Sequence, residues 1–269
     1  MVYFVQIPDE SPMNMEIREF LESVEDDWRH HEVKLTTSTY FPNMTREYVN
    51  DNPWLKEAIP IGSLEFVHSF LYVVHGIEMM NAIEVPECLR LPHILMRDYK
   101  IVPFDKLPRE GRHFVKCVTG LKRGTYSGSM NTILDNPDSY SLDPSSLYQV
   151  SDELDIESEY RVIVMDDEIY GIQFYDGDPT IMPTPNEIRK IKEMVLRYSM
   201  AKNVPKAYTL DVAIINTDED DGRDIALIEV HPFVSVGTYG CRGGFLPRMY
   251  QLGIEWYIKH NDEMKPTEE

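Results

Sequence analysis

Apolar runs separated by short polar turns dominate the second half of the chain. The segments AYTLDVAIIN and IALIEVHPF have the length and β-branched content of strands, and the connection TDEDDGRD carries an Asp-Gly turn signal. SEYRVIVMDDEIYGIQFYDG predicts two more strands about a tight turn at Asp166 and Asp167. GRHFVKCVT predicts a further strand, and MVYFVQIPDESP begins with the first strand of the chain.

Apolar positions spaced three or four residues apart predict three helices. The first two are EIREFLESVEDDW and GSLEFVHSFLYVV. In the third, TPNEIRKIKEMVLRYSMAKN, Thr184 can cap the helix, Pro185 takes the first helical position and Glu187 closes a capping box. The predicted buried stripe of this helix comprises Ile188, Ile191, Val195 and Tyr198.

The order of these elements indicates the fold class. Hairpins interrupted by helices are typical of an α+β fold with largely antiparallel sheets. Around residues 86–92 the chain changes from mixed short strands and helices to a sequence richer in strands. We therefore divide it into an N-terminal region, residues 1–88, and a larger domain, residues 89–269.

Composition narrows the cellular setting and the partners. The 269 residues are 42% hydrophobic and 27% charged, and no apolar stretch is long enough to cross a bilayer. The N-terminus lacks a signal-peptide pattern and the three cysteines form no CxxC pair, so we expect a cytoplasmic protein with reduced thiols. A formal charge of −20 argues against nucleic-acid and anionic-membrane partners.

Several of the predicted apolar strands carry a polar side chain suited to chemistry. These residues are Lys116, Glu159, Arg161, Asp211, Glu229 and His231. Charged groups are rarely buried unless they are paired or bind a ligand, so the set indicates a polar site built on a sheet. Taken singly, each also fits an ordinary role, such as a solvated strand end or a surface salt bridge.

The residue types suit a nucleotide and a metal ion. Carboxylate oxygens are the ligands that magnesium prefers beside phosphates, and Lys116 and Arg161 could neutralise phosphate charge. The stretch GLKRGTYSGSM offers glycines and hydroxyls for a loop that closes over phosphates. It matches neither the Walker pattern nor GxGxxG, so the loop alone does not identify a fold.

Four segments taken in order resemble the ATP-grasp fold, in its divergent short branch found in bacteria and phages. They are FVKCVTGLKRGTYSG, YQVSDELDIESEYRVIV, YTLDVAI and LIEVHPFVSVGTYG, between about Arg97 and Gly240. The resemblance implies two α+β subdomains whose largely antiparallel sheets hold ATP between them. A small α/β region, residues 1–88, would precede them.

The resemblance also implies a role for each matching position. The phosphates of ATP would contact Lys116 and the loop residues Lys122, Thr125, Ser127 and Gly128. Adenine would enter a hinge formed by Gln149, Val150 and Ser151, with Glu153 or Asp155 near the ribose. Asp211 and Glu229 would hold magnesium, Arg161 would face the triphosphate or an acyl phosphate, and Arg242 would contact the substrate.

One position departs from the family pattern, which usually has Asn two residues after the metal-binding Glu. Here that residue is His231, a softer ligand, so manganese could replace magnesium. We include His231 with Asp211 and Glu229 as a candidate metal ligand. In a crowded acidic site, Asp211→Asn and Glu229→Gln should abolish turnover and leave thermal stability equal or higher.

The function implied by the resemblance is an ATP-dependent carboxylate–amine or carboxylate–thiol ligase that works through an acyl phosphate. A kinase that phosphorylates a hydroxyl and a non-catalytic nucleotide-binding protein are the alternatives. The partners would be ATP, a carboxylate-bearing substrate and a nucleophile. A protein, peptide, amino acid or modified nucleotide acceptor stays open, as does the oligomeric state.

Overall fold

The computed structural model describes residues 1–6, 32–36, 45–77, 84–119, 125–135, 140, 142–217 and 222–261. Strands occur in every part of this range. They are β1 (Val2–Gln6), β2 (Glu32–Thr36), β3 (Ala58–Ile61), β4 (Tyr99–Pro103), β5 (Arg112–Cys117), β6 (Thr125–Ser129), β7 (Leu147–Asp152), β8 (Ile156–Met165), β9 (Glu168–Gly177), β10 (Ala207–Asn216) and β11 (Arg223–Pro232). The α-helices are α1 (Arg46–Asp51), α2 (Leu64–His75), α3 (Pro92–Leu95), α4 (Met130–Asp135), α5 (Pro185–Ser199) and α6 (Leu246–His260).

The described strands form three sheets. A parallel N-terminal sheet has the order β2-β1-β3. A four-stranded antiparallel sheet, here called the lysine sheet, has the order β4-β7-β5-β6. A second four-stranded antiparallel sheet, here called the acidic sheet, has the order β11-β10-β8-β9. The predicted α+β class with largely antiparallel pairing is confirmed, and parallel pairing is confined to the N-terminal region.

Three apolar cores hold these sheets in place. The largest joins the N-terminal sheet and α2 to α6 and to one end of the acidic sheet. The second packs α5 and the segment from Val85 to Leu95 against the acidic sheet. The third packs α4 and Leu107 against the lysine sheet. Because each sheet buries one face in its own core, its other face remains for contacts between the sheets.

The helix predictions have different outcomes. GSLEFVHSFLYVV forms α2, and α5 carries the predicted capping box, in which Thr184 and Glu187 bond reciprocally to each other's backbone amides. Ile191, Val195 and Tyr198 are buried on α5 as predicted, whereas Ile188 is only partly buried. The helix predicted from EIREFLESVEDDW lies outside the described residues. Among the described helices, none is long and apolar enough to span a membrane.

The predicted tight turn between β8 and β9 is present at Asp166 and Asp167. Both residues have positive φ, 47° and 68°, which is the geometry of a hairpin turn that matches strand twist. Positive φ is costly for residues that have a Cβ atom.

Asp167→Gly should therefore raise the free energy of unfolding by roughly 1 kcal/mol, because glycine adopts positive φ without a steric cost. Asp167→Val should lower it, since a β-branched residue fits this region poorly. Denaturant unfolding of the two variants measures both effects. Equal stabilities for the two would show that turn geometry does not limit stability here.

Candidate active site between two sheets

The acidic sheet aligns charged side chains from three strands. In its register, Asp211 of β10 stands opposite Arg161 of β8 on one side and Glu229 of β11 on the other. Residues that face each other across a ladder share a face of the sheet. A bulge beside Asp211 leaves Ile228 without a partner in the β10–β11 register, and bulges redirect nearby side chains.

Arg161 and Asp211 form a buried, two-pronged ion pair. The Arg161 Nε and Nη2 atoms donate to Asp211 Oδ1 and Oδ2 at 2.8 and 2.6 Å, with side chains 8% and 1% exposed. The guanidinium carbon lies 5.0 Å from the ring centroids of Tyr175 and Tyr239, and Nη1 donates to the Gly237 carbonyl at 3.2 Å. Burial lowers the pKa of Arg161, but bonding and charge from Asp211 raise this pKa by more, above its ordinary value.

Lys116 connects the two antiparallel sheets. Its Nζ atom lies 2.5 Å from Glu229 Oε2, and the two side chains are only 5% and 13% exposed. The other carboxylate oxygen, Glu229 Oε1, lies 2.7 Å from His231 Nε2. The lysine sheet and the acidic sheet therefore face each other across a cleft, with Glu229 bonded on both of its oxygens.

Asp211, Glu229 and His231 lie close enough to share one cation. One ligand atom from each residue lies within 4.8 Å of the others. Two carboxylates suit magnesium or manganese, and the imidazole favours manganese. The donor set therefore fits a divalent metal ion, as the sequence predicted for these residues.

The cleft face of the lysine sheet carries polar side chains around Lys116. Thr125 of β6 and Gln149 of β7 stand opposite Lys116 in the register, and Gln149 is 4% exposed. Ser127 and Ser151 lie one row along, opposite Phe114, on the same face.

Val150 has a different position from its neighbours in sequence. It stands opposite Val115 in the register, so its side chain lies on the face away from Lys116. There it lines a pocket of about 250 Å³ with Lys100 and His113. Of the three predicted hinge residues, only Gln149 and Ser151 present their side chains to the cleft.

The predicted hinge is displaced in the structure. Gln149, Val150 and Ser151 lie within strand β7, and the connection to the acidic sheet is formed by residues 153–155. The reason is that β7 pairs on both sides, with β4 and β5, and this pairing continues as far as Asp152. Interior strands of a sheet offer little freedom for a hinge.

Glu153 begins this connection and is held by the lysine sheet. It accepts hydrogen bonds from Ser127 Oγ at 2.5 Å and from Arg112 Nε and Nη2 at 2.7 and 3.2 Å. Ser127 first, and then Arg112, lower the pKa of Glu153. The contacts join β5, β6 and the connection, so Glu153 fixes the strand that follows the glycine-rich loop.

Three predicted site residues lie away from this cluster or outside the described part of the chain. Lys122 belongs to the loop that precedes β6 and lies outside the described residues. Gly128 has a φ of 150° within β6, a value that favours glycine. Arg242 is exposed on the loop after Gly240.

Sequence reasoning did not single out Arg97 as a site residue. Its side chain donates to the carbonyl oxygens of Leu95, at 3.3 Å, and Ile228, at 3.2 Å, next to Glu229. Burial lowers the pKa of Arg97 to about 10, against the opposing charge of Glu159, so it stays cationic at neutral pH. Its proximity to Glu229 depends on tertiary structure, which a local sequence pattern does not reveal.

A family comparison agrees with two facing antiparallel sheets that carry a lysine on one side and carboxylates on the other. Residues 95–245 of the chain match the model of an ATP-grasp domain, the second family of its clade. The chain belongs to this ATP-grasp family. The match extends from the start of the lysine sheet to the loop after β11, so it contains the whole cluster.

Solved structures show the same fold for this ATP-grasp chain. D-alanine–D-alanine ligase from Bacillus anthracis, solved with ATP, matches at 13% identity and a TM-score of 0.51, over 98% of this chain and 99% of that one. N5-carboxyaminoimidazole synthetase from Staphylococcus aureus matches at 11% identity and a TM-score of 0.56, over 96% and 76%. A RimK domain ATP-grasp protein from Sphaerobacter thermophilus matches at 12% identity and a TM-score of 0.50, over 97% and 99%. No curated protein matches the chain.

The ion pairs change the expected stability of the carboxylate variants. An unpaired pair of carboxylates would repel, and their removal would stabilise the fold. Instead, Asp211 neutralises Arg161 and Glu229 neutralises Lys116. Removing one carboxylate therefore leaves a buried cation without its partner, which is destabilising.

Asp211→Asn should lower the free energy of unfolding by about 3–5 kcal/mol, because the Arg161 charge stays buried. Glu193→Gln breaks the exposed pair with Arg197 on α5 and serves as the control, with a far smaller effect. Chemical denaturation with circular dichroism measures both. An Asp211→Asn protein as stable as the control variant would show that the buried pair does not support the fold.

Proposed function

We propose that this ATP-grasp chain is an ATP-dependent ligase that activates a carboxylate as an acyl phosphate and joins it to an amine or a thiol. The observation that carries the proposal is the contact of Lys116 with Glu229 across the cleft. It places a phosphate-type cation opposite metal-type carboxylates, between two sheets of an ATP-grasp fold. The D-alanine–D-alanine ligase with the same fold was solved with ATP.

The proposed reaction has two steps. A substrate carboxylate oxygen attacks the γ-phosphorus of ATP, a P–O bond forms, and the bond between the β–γ bridging oxygen and the γ-phosphorus breaks, so ADP leaves. The amine or thiol then attacks the acyl carbon, and the C–O bond to the phosphoryl group breaks to release inorganic phosphate. The nucleophile loses its proton to solvent or to a basic group. No covalent intermediate with the protein is needed.

The residues of the cluster divide the electrostatic work. Lys116 would bind the phosphates, while Arg161, which Asp211 and the two tyrosine rings hold in place, would add positive charge beside the transferred group. Asp211, Glu229 and His231 would hold magnesium or manganese, which spreads the charge of the β- and γ-phosphates when bound. Fixed charges of this kind stabilise a transferring phosphoryl group without rearrangement during the reaction.

The base of the nucleotide would lie toward the connection at residues 153–155. Apolar side chains of Met96, Leu154 and Ile228 pack there against the alanines of β10 and β11. An apolar end suits a purine ring, and a polar end at Lys116 suits the triphosphate. This direction agrees with the predicted order of adenine, ribose and phosphates along β7.

The carboxylate substrate would enter from the side of the N-terminal region. The loop after β11 contacts this region, because Ser235 Oγ donates to the Gly62 carbonyl at 2.8 Å. The same loop reaches Arg161 through Gly237. We propose that residues 1–88 form a separate N-terminal region that, with this loop, selects the substrate.

The ligase proposal predicts an acyl phosphate that hydroxylamine can trap. Purified protein with ATP and magnesium or manganese should release ADP and inorganic phosphate in equal amounts and form a hydroxamate with a suitable carboxylate. Glu229→Gln should abolish this, and Glu168→Gln, an exposed glutamate of the same sheet, should retain it.

A phosphorylated hydroxyl product without free phosphate would instead identify a kinase. Tight ATP binding without turnover across amino acids, peptides and nucleotides would favour a nucleotide-binding protein.

His231→Asn should shift the metal preference toward magnesium, because an amide oxygen replaces an imidazole beside Glu229. The measurement is the ratio of ATP turnover with manganese to that with magnesium, which should fall several-fold in the variant. His113→Asn, on the opposite face of the lysine sheet, is the control. An unchanged ratio in His231→Asn would remove the imidazole from the metal site.

A further inference from the structure

The proposed metal ligands are already bonded on every carboxylate oxygen. Glu229 has Lys116 on Oε2, at 2.5 Å, and His231 on Oε1, at 2.7 Å. Asp211 has Arg161 on both oxygens, at 2.8 and 2.6 Å. A divalent ion that enters this cluster must therefore share or displace a protein cation.

The two cations differ in how firmly they are held. Arg161 is fixed by the Gly237 carbonyl and by the rings of Tyr175 and Tyr239 in addition to Asp211. Each carboxylate oxygen has a second lone pair, so Asp211 can keep Arg161 and still bind a metal ion. Lys116 has a flexible stem and a compact ammonium group, so it can change its partner.

A metal ion alone gives Lys116 no new partner. The Lys116 side chain is 5% exposed, and its neighbours in the register, Thr125 and Gln149, are uncharged. If a metal ion displaced it from Glu229, the ammonium would stay buried without an anion, which is strongly unfavourable. The metal ion would also lose part of its hydration shell.

A nucleotide changes this balance because its phosphates supply the missing anion. We propose that Glu229 becomes available to a divalent ion only when a nucleotide phosphate has taken Lys116, so that metal and nucleotide bind as a coupled pair. This inference rests on the proposed function for the location of both ligands. Once Lys116 has moved, Glu229 and the phosphates would repel each other unless the metal ion lies between them.

The coupling must act equally in both directions. If the nucleotide tightens metal binding by a given factor, the metal tightens nucleotide binding by the same factor. Lys116 is therefore the residue that transmits the coupling, in addition to its contact with phosphate. A variant without this charge should bind the metal ion alone and show little coupling.

The test is manganese binding by electron paramagnetic resonance, with and without a non-hydrolysable ATP analogue. Spectra of manganese with the analogue alone are subtracted. In the wild-type protein, manganese affinity should rise at least about 100-fold when the analogue is present. Lys116→Met should bind manganese alone at least about 10-fold more tightly than the wild-type protein and lose most of the coupling. Lys100→Met, an exposed lysine elsewhere on the lysine sheet, should behave as wild type.

The outcomes separate the inference from the proposed function. Wild-type protein that binds manganese equally well with and without the analogue would overturn the inference, as would a Lys116→Met protein with no gain for manganese alone. Absence of analogue binding would count against the proposed function, while the manganese gain in Lys116→Met would still support the inference. Lys116→Gln, which keeps a hydrogen-bond donor toward Glu229, replaces Lys116→Met if circular dichroism shows that variant to be unfolded.

Discussion

The ion pair between Lys116 and Glu229 is the contact on which the arrangement of the site depends. It joins the lysine sheet to the acidic sheet with an Nζ–Oε2 distance of 2.5 Å, in a place where both side chains are largely buried. A buried charge is tolerated only when it is paired, so each residue requires the other sheet to be present. The pair therefore fixes the facing of the two sheets and the chemistry of the cleft at the same time.

Charge balance follows from this arrangement. Lys116 and Arg161 neutralise Glu229 and Asp211, so the cluster is balanced while the protein carries a formal charge of −20. A metal–nucleotide complex can enter by exchanging partners within the cluster, and no charge has to be buried alone. Arg161 is held by rings and a carbonyl, whereas Lys116 is held by one carboxylate, which makes Lys116 the partner that exchanges.

Much of this fold was predictable from local patterns because the strands and helices of the second half have strong local signals. The turn at Asp166 and Asp167 and the cap formed by Thr184 and Glu187 depend on residues close in sequence. The candidate residues on the strands were found because Asp211 and Glu229 interrupt long apolar runs. Their common face needs only the alternation of side chains along a strand and the pairing of the hairpin.

The rest depended on contacts distant in sequence. Lys116 and Glu229 are 113 positions apart, and no periodicity indicates that one neutralises the other. For that reason the sequence predicted repelling carboxylates, and their pairing with buried cations reverses the expected stability effect. The extent of β7 was also missed, because pairing on both sides carries the strand through the predicted hinge.

A crystal structure with a non-hydrolysable ATP analogue and manganese tests the central claim most directly. The account predicts the triphosphate between the two sheets, with Lys116 Nζ on a phosphate oxygen and an anomalous manganese peak bonded to Glu229 and Asp211, while Arg161 stays on Asp211. A nucleotide bound elsewhere, or one bound in the cleft with Lys116 still on Glu229, would contradict it.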